Sequence, residues 1–369
     1  MERAARRRER PDPGRQGLKT AAAQAFDPNS ASAAGSGVFG LPFSERESAL
    51  VLLPVPWEAT VSYGGGTSQG PAAILAASRQ VDLFAPDIRR PYEAGICMLA
   101  PSRRIRSENA AARRAAAPVI AAGGWDGRNS RFGKAAARVN AAGARLNALV
   151  RAESARILAA GKILGVVGGE HSVPFGAIQA AAARSRGFGI LHLDAHSDTR
   201  DAFEGLRWSH ASIMRNVLED IPQVRRLVQV GIRDFCEEEH LYCRGLGKRV
   251  RTFRAQDLAA ARFAGKSWDR TARDIVARLP KDVWVSFDID ALDPSLCPHT
   301  GTPVPGGLGF WEADHLLSRV VRSGRRIIGF DLCEVAPGRD DEWDANVGAR
   351  ILYRLCSWTL ASQGKAALG

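Results

Sequence analysis

The chain has 369 residues, 45% of them apolar, enough to bury a sizeable core in one large α/β domain or two smaller ones. No apolar run reaches about 18 residues and no apolar stretch of a secretory type opens the chain, so neither a membrane span nor a membrane partner is expected. The net charge of +12 raises nucleic acid as a partner, but the basic residues beyond the N-terminus are dispersed without interleaved aromatics, and no nucleic-acid partner is expected. Six cysteines, Cys97, Cys236, Cys243, Cys297, Cys333 and Cys356, form no C-x-x-C pair and read as the reduced thiols of a cytoplasmic protein.

The first 20 residues carry seven basic and three acidic side chains. They are rich in Arg, Pro and Ala without apolar periodicity, and residues 1–45 read as a disordered basic extension ahead of one catalytic domain over 46–362. Glu2, Glu9 and Asp12 argue against a targeting peptide. LVLLPVPWE (50–58) is an expected first strand, and SYGGGTSQGPAAIL is a Gly-rich turn opening a helix with Pro71 near its start. That turn lacks the Lys of a phosphate-binding loop. Residues 101–133, charged and rich in Ala and Gly, read as a surface insertion or loop, whereas 134–160 carry helical periodicity through Ala137, Val139, Leu146, Leu149, Ile157 and Leu158. Strands are expected at 163–167, 189–193, 227–231, 283–288 and 327–332. Alternating strands and helices predict a three-layer α/β/α fold with a mainly parallel central sheet, whose ligands sit at the carboxyl ends of the strands.

Three strand ends carry the chemistry. LHLDAHSD (191–198) places Asp194, His196 and Asp198 at alternate positions, which share a face on an extended strand. VWVSFDIDALDP repeats the device with Asp288 and Asp290, and KILGVVGGEHSVP (162–174) ends in two glycines, Glu170 and His171. Several carboxylates brought together without cations would force some of them to stay protonated. A mixed oxygen and nitrogen set suits Mn²⁺, Fe²⁺, Co²⁺, Ni²⁺ or Zn²⁺ better than Ca²⁺ or Mg²⁺.

GGEHS, DAHSD and SFDIDALDPS resemble the three signature motifs of the ureohydrolase superfamily of arginases and agmatinases, and the similarity runs from Val51 to Leu355. The resemblance implies an arginase-like fold and two Mn²⁺ ions per chain, with Ni²⁺, Co²⁺ or Fe²⁺ as alternatives. It implies His171, Asp194, Asp198 and Asp288 as ligands of one ion and Asp194, His196, Asp288 and Asp290 as ligands of the other, so that Asp194 and Asp288 bridge. It further implies hydrolysis of a small guanidino substrate to urea and an amine. In that reaction Asp198 orients the nucleophile, His210 in FEGLRWSHASIMRN shuttles a proton, and Glu334 in IIGFDLCEVAP binds the guanidinium fork.

Substrate choice is expected from the loop 199–209 and from GIRDFCEEE (231–239). Arg200 follows the ligand loop and Cys236 stands where arginases carry an Asp, and both depart from the arginase pattern. PHTGTPVPGGL (298–308) and GFDLCEVAP look closer to the agmatinase-like branch, so agmatine is the first choice of substrate. Guanidinobutyrate, other guanidino acids, guanidine and arginine are the alternatives. Arg200 is open to pairing with a substrate carboxylate, or with Asp201 or Glu204. A zinc deacetylase of the same architecture and a non-catalytic member remain as other classes. A homo-oligomer, trimer or hexamer, is implied by the resemblance alone.

Overall fold

The computed structural model describes residues 26–33 and 35–369. Its strands are β1 (Leu50–Val55), β2 (Ile88–Arg89), β3 (Ile96–Met98), β4 (Ile163–Gly168), β5 (Phe188–Leu193), β6 (Val224–Ile232), β7 (Val250–Arg254), β8 (Asp282–Asp288), β9 (Arg326–Cys333) and β10 (Ala367–Leu368). Its α-helices are α1 (Gly70–Ala77), α2 (Arg103–Ala121), α3 (Ser130–Ala159), α4 (Phe175–Ala182), α5 (Ile213–Asp220), α6 (Glu237–Gly245), α7 (Ala255–Phe263), α8 (Trp268–Val276), α9 (Phe310–Arg322) and α10 (Trp343–Ser362).

Eight strands form one sheet in the order β3-β1-β4-β9-β8-β5-β6-β7, every pairing parallel, and β2 pairs with β10 in a separate antiparallel ribbon. A parallel sheet is buried on both faces, so its strands read as continuous apolar runs. In β8, Val283, Val285 and Phe287 belong to one core layer while Trp284 belongs to the layer on the opposite face. Helices cover both layers, which makes the fold three-layer α/β/α. No helix among the described residues is long and apolar enough to cross a membrane.

Two expectations are corrected. Residues 101–133 are not a loop: they form α2 and the start of α3. Ile105, Ala112, Ala116 and Val119 make the buried stripe of α2, and Ser102 caps it by accepting from the Ile105 N–H at 3.4 Å. Alanine weighs little in an apolar pattern, so a stripe half built of alanines is faint in sequence although small residues pack helices closely. The extension drawn to residue 45 falls largely on residues 1–25, outside the described residues. Of the remainder, Val38, Phe39 and Leu41 are buried, and Phe39 meets Tyr353 edge-on at 5.0 Å, so the packed domain begins ahead of residue 46. It also continues past 362, into β10.

The strand order positions the site. β4, β9, β8 and β5 are successive neighbours, and Val167, Leu332, Phe287 and Leu193 lie in one row across them. The next residues along those four strands are Gly168, Cys333, Asp288 and Asp194. All three sequence motifs therefore leave the sheet side by side. A Cβ on Gly169 would lie 2.0 Å from the Trp57 carbonyl oxygen, so only glycine lets the turn after β4 pass that close to the chain beyond β1.

Candidate functional site

The turn after β4 is tied to the end of β9. The Glu334 N–H donates to the Gly169 carbonyl at 2.8 Å, and the His171 N–H donates to Glu334 Oε1 at 2.8 Å. Glu334 holds φ at +63°, a left-handed conformation uncommon outside glycine, which turns its carboxylate back over the strand ends.

His171 lies at the centre of the cluster. Its Nδ1 is 3.0 Å from Asp194 Oδ2, 3.3 Å from Asp198 Oδ2 and 3.1 Å from Asp288 Oδ2. One ring nitrogen carries at most one hydrogen and cannot bond three acceptors. The spacing would suit ligand atoms around a shared ion, since bonds of about 2.1 Å give octahedral edges of about 3.0 Å. On the far side of the ring, Nε2 is 2.9 Å from Ser286 Oγ, which itself donates to Asp331 Oδ1 at 2.8 Å. With its hydrogen committed to Asp331, Ser286 must accept from His171 Nε2–H, so Nδ1 is the nitrogen that faces the carboxylates, as a donor when protonated and as a ligand when an ion is bound. Trp284 Nε1 donates to Asp331 Oδ2 at 2.5 Å and fixes the far end of the relay.

A second cluster adjoins the first. His196 Nδ1 lies 3.0 Å from Asp290 Oδ2 and 3.5 Å from Asp194 Oδ1. Backbone donors aim the carboxylates: the Ala195 N–H at Asp290 Oδ1 (3.0 Å), the His196 N–H at Asp194 Oδ1 (2.6 Å) and the Asp290 N–H at Asp288 Oδ1 (2.9 Å). His192 Nε2 holds Asp194 Oδ2 at 2.8 Å. Among the described residues, His171, His192, Asp194 and Asp198 form one group able to hold a metal ion and Asp194, His196 and Asp290 another, with ligand atoms within 4.8 Å of one another in each. Asp194 belongs to both.

The electrostatics ask for cations. Burial, then the charges of Asp290 and Asp194, raise the Asp288 carboxyl well above the usual range. Burial and the Asp194 charge push Asp198 up to about 6. Burial opposes a charge on His171, but its bonds to Asp194, Asp198, Asp288 and Asp331 outweigh that and raise its proton affinity well above the ordinary value. Burial likewise opposes a charge on His196, yet Asp290 and Asp194 bring it up to about 12. Protons on imidazoles and divalent cations are alternative answers to the same crowded negative charge.

His210 opens a short turn ahead of α5, its Nδ1 3.2 Å from Thr60 Oγ1. Thr60 Oγ1 donates to Glu170 Oε1 at 2.9 Å, so it accepts from His210 Nδ1–H and leaves Nε2 as the free base. Burial first, and then the nearby His196 charge, lower His210 to about 3, which keeps the ring neutral. Glu334 is raised well above the carboxylate range by burial and by the charge of Glu170. Its Oε1 serves His171, while Oε2 points toward Gly301, where even a Cβ would stand 3.4 Å away.

The structure brings His171, Asp194, His196, Asp198, Asp288 and Asp290 together, with Glu334 bonded to the His171 backbone. Arg200 pairs with neither Asp201 nor Glu204. Its Nε lies 3.6 Å from Glu239 Oε2, and its guanidinium sits 4.7 Å over the Phe203 ring. Cys236 caps α6, its N–H donating to Glu239 Oε2 at 3.0 Å. Sequence reasoning passed over His192, Ser286 and Asp331. A signal existed for the first two: each stands two residues before a site aspartate on the same strand face.

Comparison with known proteins fits this geometry. The family model of the Arginase family matches residues 48–357. An N(1)-aminopropylagmatine ureohydrolase of Synechocystis sp. is 30% identical over 326 residues, covering 87% of this chain and 92% of the relative. Its counterpart in Thermus thermophilus is 34% identical over 294 residues, 79% of this chain and 84% of the relative. The solved proclavaminate amidino hydrolase of Streptomyces clavuligerus superposes with a TM-score of 0.68 at 25% identity, over 90% of this chain and 99% of that one. The motifs that leave four neighbouring strands together are thus those of a known lineage, and the chain belongs to the arginase family, as a hydrolase acting on guanidino C–N bonds.

Proposed function

We propose that the protein is a dinuclear manganese ureohydrolase of the agmatinase-like branch, cleaving a guanidino amine, agmatine or N(1)-aminopropylagmatine, to urea and a polyamine. The observation that carries the reading is His171 Nδ1 facing three aspartate oxygens at 3.0–3.3 Å, a spacing suited to a shared ion. In this reading His171, Asp194, Asp198 and Asp288 hold one ion, and Asp194, His196, Asp288 and Asp290 the other. When bound, the ions supply a nucleophile at neutral pH by lowering the pKa of water.

The chain's own groups do the rest. Glu334 Oε2 accepts from the planar guanidinium and sets its orientation. Asp198 positions the nucleophile beneath it. His210, neutral and anchored through Thr60 to Glu170, presents Nε2 to take the proton that the attacking water gives up and pass it to the leaving amine. Arg200 is engaged with Glu239 and Phe203, which supports an amine over a guanidino acid as substrate. The names of the two ureohydrolase relatives point the same way. A cytoplasmic homo-oligomer, trimer or hexamer, completes the reading and is tested by solution mass measurement.

The deciding experiment is urea release from the manganese-loaded protein with agmatine, N(1)-aminopropylagmatine, arginine, guanidinobutyrate and guanidine. Agmatine or its aminopropyl derivative is expected to be the best substrate. No urea from any of them overturns the function, and one zinc per chain in place of two ions would favour the deacetylase class.

A further inference from the structure

The hairpin of α2 and α3 reaches across to the loop that leads to His210. The Trp125 N–H donates to the Glu204 carbonyl at 3.1 Å, Asn140 Nδ2 donates to the Gly205 carbonyl at 3.2 Å, and the Arg207 N–H donates to Asn140 Oδ1 at 2.8 Å. A Cβ on Gly124 would lie 2.9 Å from Glu204 Cα, and one on Gly205 would lie 3.2 Å from Trp125 Cβ, so hairpin and loop meet backbone to backbone. The loop is strained where they meet. Ala202 and Glu204 hold φ at +44° and +59°, conformations that persist only where the surroundings impose them.

Between hairpin and loop lies a cavity of about 470 Å³ lined by Trp125, Asp126, Asn129, Phe132 and Glu204. Its chemistry is aromatic and acidic. Trp125 keeps 37% of its surface exposed. The Oε2 atom of Glu204 is shielded from solvent and accepts no hydrogen bond. Burial raises the Glu204 proton affinity, and the charge of Arg113, whose Nη1 donates to the Val61 carbonyl, opposes this. A carboxylate oxygen without a donor, beside an indole and a phenyl ring, offers the charge and the aromatic faces that bind an organic ammonium group once the Glu204 side chain turns to expose it. The loop that walls the cavity also touches His210. Phe203, the residue before Glu204, packs edge-on to His210 with centroids 6.2 Å apart.

We propose that this cavity receives the cationic distal end of the substrate, an alkylammonium held by Glu204 and Trp125, which makes the α2–α3 hairpin a specificity element. The inference rests on the ureohydrolase reading above, and it names the groups that would read the amine at the far end of the substrate.

The test compares the manganese-loaded wild type with Glu204→Gln and Trp125→Ala on N(1)-aminopropylagmatine, agmatine and butylguanidine, which has no distal charge. Glu204→Gln is expected to lower the kcat/KM ratio of the amine substrates to butylguanidine by about tenfold or more, mainly through KM. Trp125→Ala is expected to lower it less. A ratio within about twofold of wild type in Glu204→Gln, in a protein that melts normally, overturns the proposal. A second readout needs no turnover: millimolar putrescine is expected to raise the wild-type Tm by about 2 °C and to leave Glu204→Gln unmoved. If the wild type hydrolyses none of the guanidines, the functional reading falls. The putrescine shift then decides the cavity alone, and its absence in the wild type overturns the cation site.

Discussion

Ser286→Ala removes one hydroxyl from the relay behind His171. Two bonds go with it, the one accepted from His171 Nε2 at 2.9 Å and the one donated to Asp331 Oδ1 at 2.8 Å. All three residues are buried, so water cannot replace the hydroxyl without a cavity to hold it. Asp331 keeps Trp284 as a donor, and its Oδ1 lies 3.5 Å from His171 Nε2, so part of the loss is recovered by a small ring movement. The stability cost should therefore be about 1–2 kcal/mol, in the lower part of the range for a buried polar group that loses its partner. Metal binding should suffer more. With only the more distant Asp331 Oδ1 as acceptor at Nε2, the ring carries its hydrogen on Nδ1 more readily, and Nδ1 is then unavailable as a ligand. Loss of such a partner behind a ligating histidine lowers metal affinity about 10- to 100-fold. A manganese titration by calorimetry, with paramagnetic resonance to count bound ions, is expected to show weakening of the site that includes His171 and little change at the site that includes His196. Undiminished affinity at both sites in a folded Ser286→Ala protein would refute the assignment of the relay.

Asp194→Ala should remove both ions and all urea release, because Asp194 belongs to both ligand clusters; metal analysis that still finds two ions per chain would sink its bridging role. His210→Ala should retain its metal and lower kcat by about 10²- to 10⁴-fold, and metal loss in that variant would contradict a role in proton transfer. Arg354→Met should cost about 3–5 kcal/mol in urea denaturation, since the guanidinium holds buried Asp314 through Nε (2.6 Å) and Nη2 (2.9 Å), and Asp314 would be left with only the Trp358 indole as donor. His299 is raised above its ordinary value of 6.5 by its bond to Asp344 at 2.8 Å. Its contribution to stability is therefore complete below the unfolded value and lost as pH rises through the raised folded value. The Tm gap between wild type and His299→Gln should be wider near pH 6 than near pH 9, and an equal gap at both would refute the pairing.

The alternation rule placed Asp194, His196 and Asp198 on one face, and all three do reach the site. They divide between its two clusters: Asp198 sits beside His171, and His196 beside Asp290. Asp198 achieves this with φ at +56°, a backbone turn that no spacing rule would indicate. Helix α2 stayed hidden because half of its buried stripe is alanine. The edge strands β3 and β7 were passed over because one is three residues long and the other, VRTFR, is charged where it meets solvent. His192 and Ser286 resembled ordinary core polar residues until the atoms they touch were known.

Residue types and their spacing along the chain were enough to determine the fold class, the donor chemistry and the motifs that supply it. Those are local properties, written in strand alternation and in the ligand preferences of carboxylate and imidazole. Only the tertiary structure decided which strand ends are neighbours, since strand order in a parallel sheet follows from hydrogen bonding between segments far apart in sequence. Glu334 meets His171 across 163 residues for that reason, and the tip of the α2–α3 hairpin meets Glu204 by packing that no local pattern encodes. The cluster that could hold metal is thus legible in the sequence, while the surface that would select the substrate is set by how distant elements dock.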